Sequence, residues 1–137
     1  MMQGLRLYKS EKLCSRTAVE TLFAQGKSAK AYPLRAVYVL KAASGRPSPA
    51  QFLITIPKKR HRHAVDRVLL RRRVREAFRL NRQLLYPTLI EAQMEVDVAF
   101  IYMSDDKADY RQVEERMQLL LKHIADSVSS SNVTSEP

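Results

Sequence analysis

The sequence predicts an α+β domain: a three- or four-stranded sheet with helices packed on one of its faces. Three observations predict it. Residue character alternates with period two over 34–40 and 51–56, apolar residues recur at helical spacing over 63–85 and 110–124, and 96–103 is a mostly apolar run of strand length. With 137 residues, 45% of them hydrophobic, the chain has the size and apolar content of one packed core, which excludes a large multidomain enzyme.

The elements follow in order. Over 15–25, Ser15 can cap the first turn of a helix, Ala18, Val19, Leu22 and Phe23 make its apolar face, and Gly26 suits the position just past its C-terminus. A strand over 34–40 sets Leu34, Ala36, Tyr38 and Leu40 on one face and Arg35, Val37 and Val39 on the other. Gly45, Pro47 and Pro49 punctuate a flexible connection to a strand over 51–56, which is expected to pair antiparallel with the first and is closed by Pro57. Over 63–85, Leu70, Val74, Ala77, Phe78, Leu84 and Leu85 fall in one helical stripe, and Pro87 is expected to stop that helix. The run at 96–103 is a buried strand, and the helix over 110–124 carries Val113, Met117, Leu120, Leu121 and Ile124 at helical spacing. A helix joining two strands of one sheet implies at least one parallel pair. From Ser127 onward the chain is too polar to offset its ordering entropy, so the expected division is a single α+β domain over 1–126 and a disordered polar tail over 127–137.

Charge narrows the function. The formal net charge is +10, so a polyanion is the first partner to consider. It is unevenly spread: residues 57–82 hold 11 basic and 2 acidic side chains, whereas 83–137 hold 4 and 10, which excludes the C-terminal part as the binding surface. The single cysteine, Cys14, forbids an internal disulfide. Residues 1–8 lack the apolar segment of a signal peptide, and no run is long enough to span a bilayer, so the expected location is cytoplasmic, without a membrane partner.

The basic helix is the informative element. Arg71, Arg75, Arg79 and Arg82 step down one side at spacings of four, four and three, with Arg72 beside them, next to the apolar stripe. A solvated charged face is the ordinary reading of such a run, and it normally mixes signs. Here the face is single-signed and arginine-rich, matching the bidentate fork that phosphates take; only Asp66 and Glu76 are near enough to neutralise it. Membrane-surface or calmodulin-type binding is the rival for a basic amphipathic helix, but a chain this short needs the apolar stripe as core. Lys58, Lys59, Arg60 and Arg62 extend the positive surface from the strand end to the helix start. His61 and His63 lack the spacing and companions of a zinc site, and Asp105, Asp106 and Asp109 read as charges favourable to the last helix's N-terminus.

At these residues the sequence resembles a known family. The stretch PKKRHRHAVDRVLLRRRVREAF, residues 57–78, is similar to the signature of the protein subunit of bacterial ribonuclease P. LCSRTAVETLFAQG (13–26) resembles the family's first helix, YPLRAVY (32–38) its first strand, and DVAFIY (97–102) the strand after the signature. The resemblance spans about residues 7–124. Where the family signature has Arg-Asn-Arg, this chain has Arg67-Val68-Leu69, so an amide able to donate and accept is replaced by a group that can do neither.

The resemblance implies an α-β-β-β-α-β-α sandwich with a four-stranded sheet, similar to a ribosomal-protein domain and carrying a left-handed crossover around the basic helix. It also implies a ribonuclease P holoenzyme subunit without catalytic residues of its own: a catalytic RNA, with magnesium, hydrolyses precursor tRNA to free the mature 5′ end. The protein itself is expected to bind no metal or other cofactor, and its partners would be the catalytic RNA and precursor tRNA, not DNA. Carried over residue by residue, Lys58, Lys59, Arg60, Arg62, Arg67, Arg71, Arg72, Arg75 and Arg79 would contact the catalytic RNA, and Val19, Phe23 and Tyr38 the single-stranded 5′ leader. Val19 stands where the family often has Phe, and core packing is its plainer reading; for Phe23 core packing and leader contact stand level, and Tyr38 could stack on a base. The alternative function is a ribosomal-type protein that binds structured RNA without a part in tRNA processing.

Overall fold

Four strands form one mixed sheet in the order β1-β2-β4-β3, with helices on both faces. The computed structural model describes residues 9–134, so the N-terminal stretch read for a signal segment and the last residues of the expected tail, 135–137, lie outside the described residues. The helices are α1 (Arg16–Gln25), α2 (Ala64–Asn81), α3 (Tyr86–Ala92) and α4 (Tyr110–Thr134); the strands are β1 (Lys27–Ala31), β2 (Leu34–Ala42), β3 (Ala50–Thr55) and β4 (Met94–Tyr102).

β4 takes the centre because its run Val96–Val98–Phe100–Tyr102 is buried on one face while Asp97 and Ala99 are buried on the other. Central strands of this kind read as nearly continuous apolar runs. This overturns the expected pairing of β2 with β3: β2 pairs antiparallel with β1 and β4, and β3 pairs parallel with β4. The expected parallel pair around the basic helix is therefore β3–β4. β1, Lys-Ser-Ala-Lys-Ala, escapes a reading by periodicity because it has no β-branched or aromatic residue; only Ala29 and Ala31 turn inward.

The main core lies between one sheet face and α2, α3 and α4, where Leu70, Val74, Ala77 and Phe78 of α2 meet Phe52 and Phe100. The opposite face, with Val37 and Ala99 at its centre, is covered by α1 through Leu22 and by Leu13. Helices on both faces, not one, follow from that second apolar stripe. α1 begins as expected, with the Ser15 hydroxyl accepting from the Ala18 N–H at 3.3 Å. Gly26, however, has an ordinary extended backbone (φ −71°). Glycine is needed there for space: a Cβ would lie 2.6 Å from Val37 Cγ1 and clash with the Leu22 carbonyl. Gly26→Ala is expected to lower stability by about 1–3 kcal/mol, read as a shifted urea midpoint; an unshifted midpoint would contradict the close helix–strand approach.

Two further expectations are corrected. α2 ends at Asn81, whose side chain turns back to the Ala77 carbonyl (2.8 Å) and reaches Glu114 (2.9 Å). A 3-10 turn, Arg82–Leu84, follows, and Pro87 lies in the first turn of α3, where the missing N–H has no intrahelical partner to lose. Pro87 thus opens a helix instead of closing one. The tail expected to be disordered from Ser127 is helical, since α4 runs to Thr134; Val128 is fully buried and the Ser127 hydroxyl meets Tyr38 Oη at 2.8 Å. Two anchors in reach of the sheet overcome the low apolar content of that segment.

Candidate nucleic-acid interface

The polypeptide leaves β3 at Thr55 and enters α2 at Ala64, so residues 57–63 lie where the sheet's edge strand meets the start of the basic helix. This connection is fastened from within. His61 is buried, with Nε2 2.8 Å from the Ser104 carbonyl and its ring edge-on to Tyr102; Arg67 folds back to donate to the carbonyls of His61 (2.9 Å) and Arg62 (2.8 Å). The histidine therefore serves packing and polar contact. Lys58, Lys59 and Arg62 are left exposed on a loop whose backbone is held.

Along α2 the arginines divide into three kinds. Arg73 donates to the Ala108 carbonyl at 2.5 Å and ties α2 to the approach of α4. Arg79 is paired with Glu76, and Arg82 is 3% exposed and paired with Glu11. The expected row Arg71–Arg75–Arg79–Arg82 is shortened accordingly: its last member is buried by a carboxylate 71 residues away in sequence, and its third is matched by a neighbour one turn back. Arg71, Arg72 and Arg75 remain. With Lys58, Lys59 and Arg62 they enter no ion pair or side-chain hydrogen bond among the described residues. Arg60 and Arg67 belong to the same edge, Arg60 paired at 3.2 Å with the exposed Asp105.

The helix's own acids relieve this charge only in small part, with Glu76 acting weakly on Arg75. Arg79 holds the Glu76 carboxyl below the usual carboxylate range by hydrogen bonding, and Lys107 does the same for Asp66. Both carboxylates are thus ionised and already engaged. Uncompensated like charges on one helix destabilise it by about 0.2–0.5 kcal/mol per adjacent pair, so the arrangement favours an anionic partner. Of the aspartates before α4, Asp109 caps the helix, accepting from the Gln112 N–H at 2.9 Å.

The second predicted surface lies on the α1 side of the sheet. Phe23 is 50% exposed, and Val19, half-buried one turn before it, packs on the cluster that includes Leu53 and Ile101. Tyr38 is not there. It is 2% exposed and faces α4, bonded to Ser127 and edge-on to His123, so it cannot stack on a base. Strand alternation explains the correction, because Val37 and Val39, not Tyr38, share a face with α1. The register instead aligns Lys30, Arg35, Ile101 and Thr55 in one row across all four strands. Leu53 and Ile101, half-buried beside α1, and the basic pair Lys30 and Arg35 at the row's end escaped the sequence reading. Their signal was in the alternation of β2, with Arg35 and Val37 on one face.

Among known proteins, residues 7–125 match the family model described as Ribonuclease P. The chain belongs to the Ribonuclease P family. The ribonuclease P protein component of Porphyromonas gingivalis is 43% identical over 130 residues, covering 95% of this chain and 94% of that one. That of Chlorobium phaeobacteroides is 31% identical over 79% of this chain and 81% of its own. Solved structures agree in fold: the ribonuclease P protein of Staphylococcus aureus superposes with a TM-score of 0.65 over 85% of this chain and 96% of its own at 16% identity. The protein from Thermotoga maritima gives 0.64, over 82% and 96%, at 23% identity. The Ribonuclease P match runs from the residues before α1 into α4, so it contains both the cationic edge and the surface beside α1.

Proposed function

We propose that this chain is the protein component of a ribonuclease P holoenzyme, acting on precursor tRNA through a catalytic RNA that it binds and positions. The observation that carries the reading is the set of six cations at the β3–α2 edge, Lys58, Lys59, Arg62, Arg71, Arg72 and Arg75, without an ion-pair partner among the described residues, in a chain of this family. Guanidinium and ammonium groups on a rigid helix and a fastened loop meet phosphates at fixed spacing. Arg60, Arg67 and Arg79 complete the surface from its margins, each already tied within the protein. The groove beside α1 takes the single-stranded 5′ leader, with Phe23 as the stacking group and Val19 as part of the apolar floor.

In this reading hydrolysis belongs to the RNA, where bound magnesium would supply activation of water and stabilisation of the leaving oxygen. Among the described residues no three His, Cys, Asp or Glu side chains gather in a metal-holding set. Cytoplasmic location accords with such an RNA partner; among the described residues no helix is long and apolar enough to cross a membrane.

The test is reconstitution of precursor-tRNA cleavage with a bacterial ribonuclease P RNA at low magnesium. Addition of the protein is expected to rescue cleavage, and the protein alone to cut nothing. Absence of rescue would end the proposal, and cleavage without the RNA would replace it with an autonomous nuclease. In the same assay Phe23→Ala is expected to weaken binding of leader-bearing substrate by about 1–3 kcal/mol, leaving substrate without a leader unaffected.

A further inference from the structure

Val65 and Val68 stand on the outer side of the first two turns of α2, 77% and 49% exposed. Three residues apart on a helix, they adjoin and form one apolar step. Scattered exposed valines need no explanation. These two, however, lie inside the densest positive charge of the molecule, with Arg62 before them and Arg72 one turn beyond Val68, both exposed and neither in an ion pair among the described residues. Helix formation does not account for them either, since a β-branched residue is a poorer helix former than alanine, lysine or arginine.

A partner that covers this step must also neutralise the cations around it. An apolar protein surface would bury those charges uncompensated, at a desolvation cost exceeding what two valines return. RNA supplies both halves of the match: phosphates for the guanidinium groups, and ribose and base faces for the methyl groups. We propose that Val65 and Val68 pack against an unpaired base or its ribose in the RNA partner, between flanking phosphate contacts made by Arg62 and Arg72. The inference rests on the reading of this edge as an RNA interface and adds a contact that carries no charge.

Because it carries none, it separates from the electrostatic contacts by its response to salt. Binding of the full chain to a bacterial ribonuclease P RNA is measured over a salt series, for wild type, Val65→Ser/Val68→Ser, Val65→Thr/Val68→Thr and Val68→Leu. The serine pair is expected to bind about tenfold more weakly at every salt concentration with an unchanged slope of log K against log salt. The threonine pair, which keeps shape and helix propensity, should lose about threefold, and Val68→Leu should bind like wild type. Affinity of both double variants within about twofold of wild type, or a loss accompanied by a flatter slope, would overturn the inference. A wild-type chain that binds no RNA would instead overturn the interface reading beneath it.

Discussion

Replacing Glu11 by alanine is expected to destabilise the fold by about 3–5 kcal/mol, although Glu11 is buried and belongs to neither proposed RNA contact. Its carboxylate receives Arg82 Nη1 on both oxygens, at 2.6 and 2.5 Å, and also accepts from the Tyr86 hydroxyl. The Glu11 and Arg82 side chains are 2% and 3% exposed, so removing the acid leaves a guanidinium in a site from which water is excluded. The pair also joins the segment before α1, whose Leu13 N–H donates to the Phe52 carbonyl at 2.9 Å, to the end of the basic helix. Urea unfolding gives the measure. A loss below about 1 kcal/mol would mean that the arginine finds solvent, whereas Glu11→Leu combined with Arg82→Leu should recover much of the stability, since removing both charges removes the penalty.

Tyr86 adds a pH dependence to the same cluster. Burial first, then the hydrogen bond to Glu11, pushes its phenol well above the ordinary tyrosine range. The folded state therefore favours the neutral phenol more strongly than the unfolded state does. That contribution is complete below the unfolded value, about pH 10, and is lost as pH rises beyond it toward the folded value. Stability is thus expected to decline above about pH 10, and Tyr86→Phe, though less stable at neutral pH, should show a shallower alkaline decline. An equal decline in the variant would place the titration elsewhere, with Tyr110 the next group to consider; burial and then the Glu114 and Glu76 carboxylates push it up to about 12.

Arg71→Ala/Arg75→Ala is expected to flatten the salt dependence of binding to ribonuclease P RNA by about 1–2 units in the slope of log K against log salt. Each neutralised phosphate releases condensed counterions and contributes about 0.7–0.9 to that slope. Neither arginine enters an ion pair among the described residues, so their removal should leave the urea midpoint nearly unchanged. Arg79→Ala and Arg82→Ala are the contrasting controls. Arg79 is partly satisfied by Glu76 and should change the slope less, while Arg82 is buried and should lower stability without a direct effect on phosphate contacts. An unchanged slope in the double variant would move the RNA surface away from α2.

These contrasts mark how far the sequence could be read. The inner stripe of α2 was legible because Leu70, Val74, Ala77 and Phe78 repeat at helical spacing, and all four are buried. The cationic edge was legible in outline from the charge of residues 57–82. Which of its arginines stay open was not, because the acid that engages Arg82 belongs to a segment three strands and two helices earlier in the chain. Tyr38 shows the converse. Its strand and its face were read correctly, but resemblance attached it to the surface proposed for the leader, on the other side of the sheet, where alternation places Val37 and Val39.

The sequence by itself determined the period of most elements, the concentration of positive charge between β3 and the end of α2, and the family. Only the tertiary structure decided that β4 enters between β2 and β3, that Ser127 and Val128 extend the last helix, and that Arg82 turns inward while Arg71 and Arg75 do not. The physical reason is range. Periodicity and charge density act over a few residues, whereas strand order, burial of both sheet faces and ion pairing depend on which distant groups come within a few ångströms of one another.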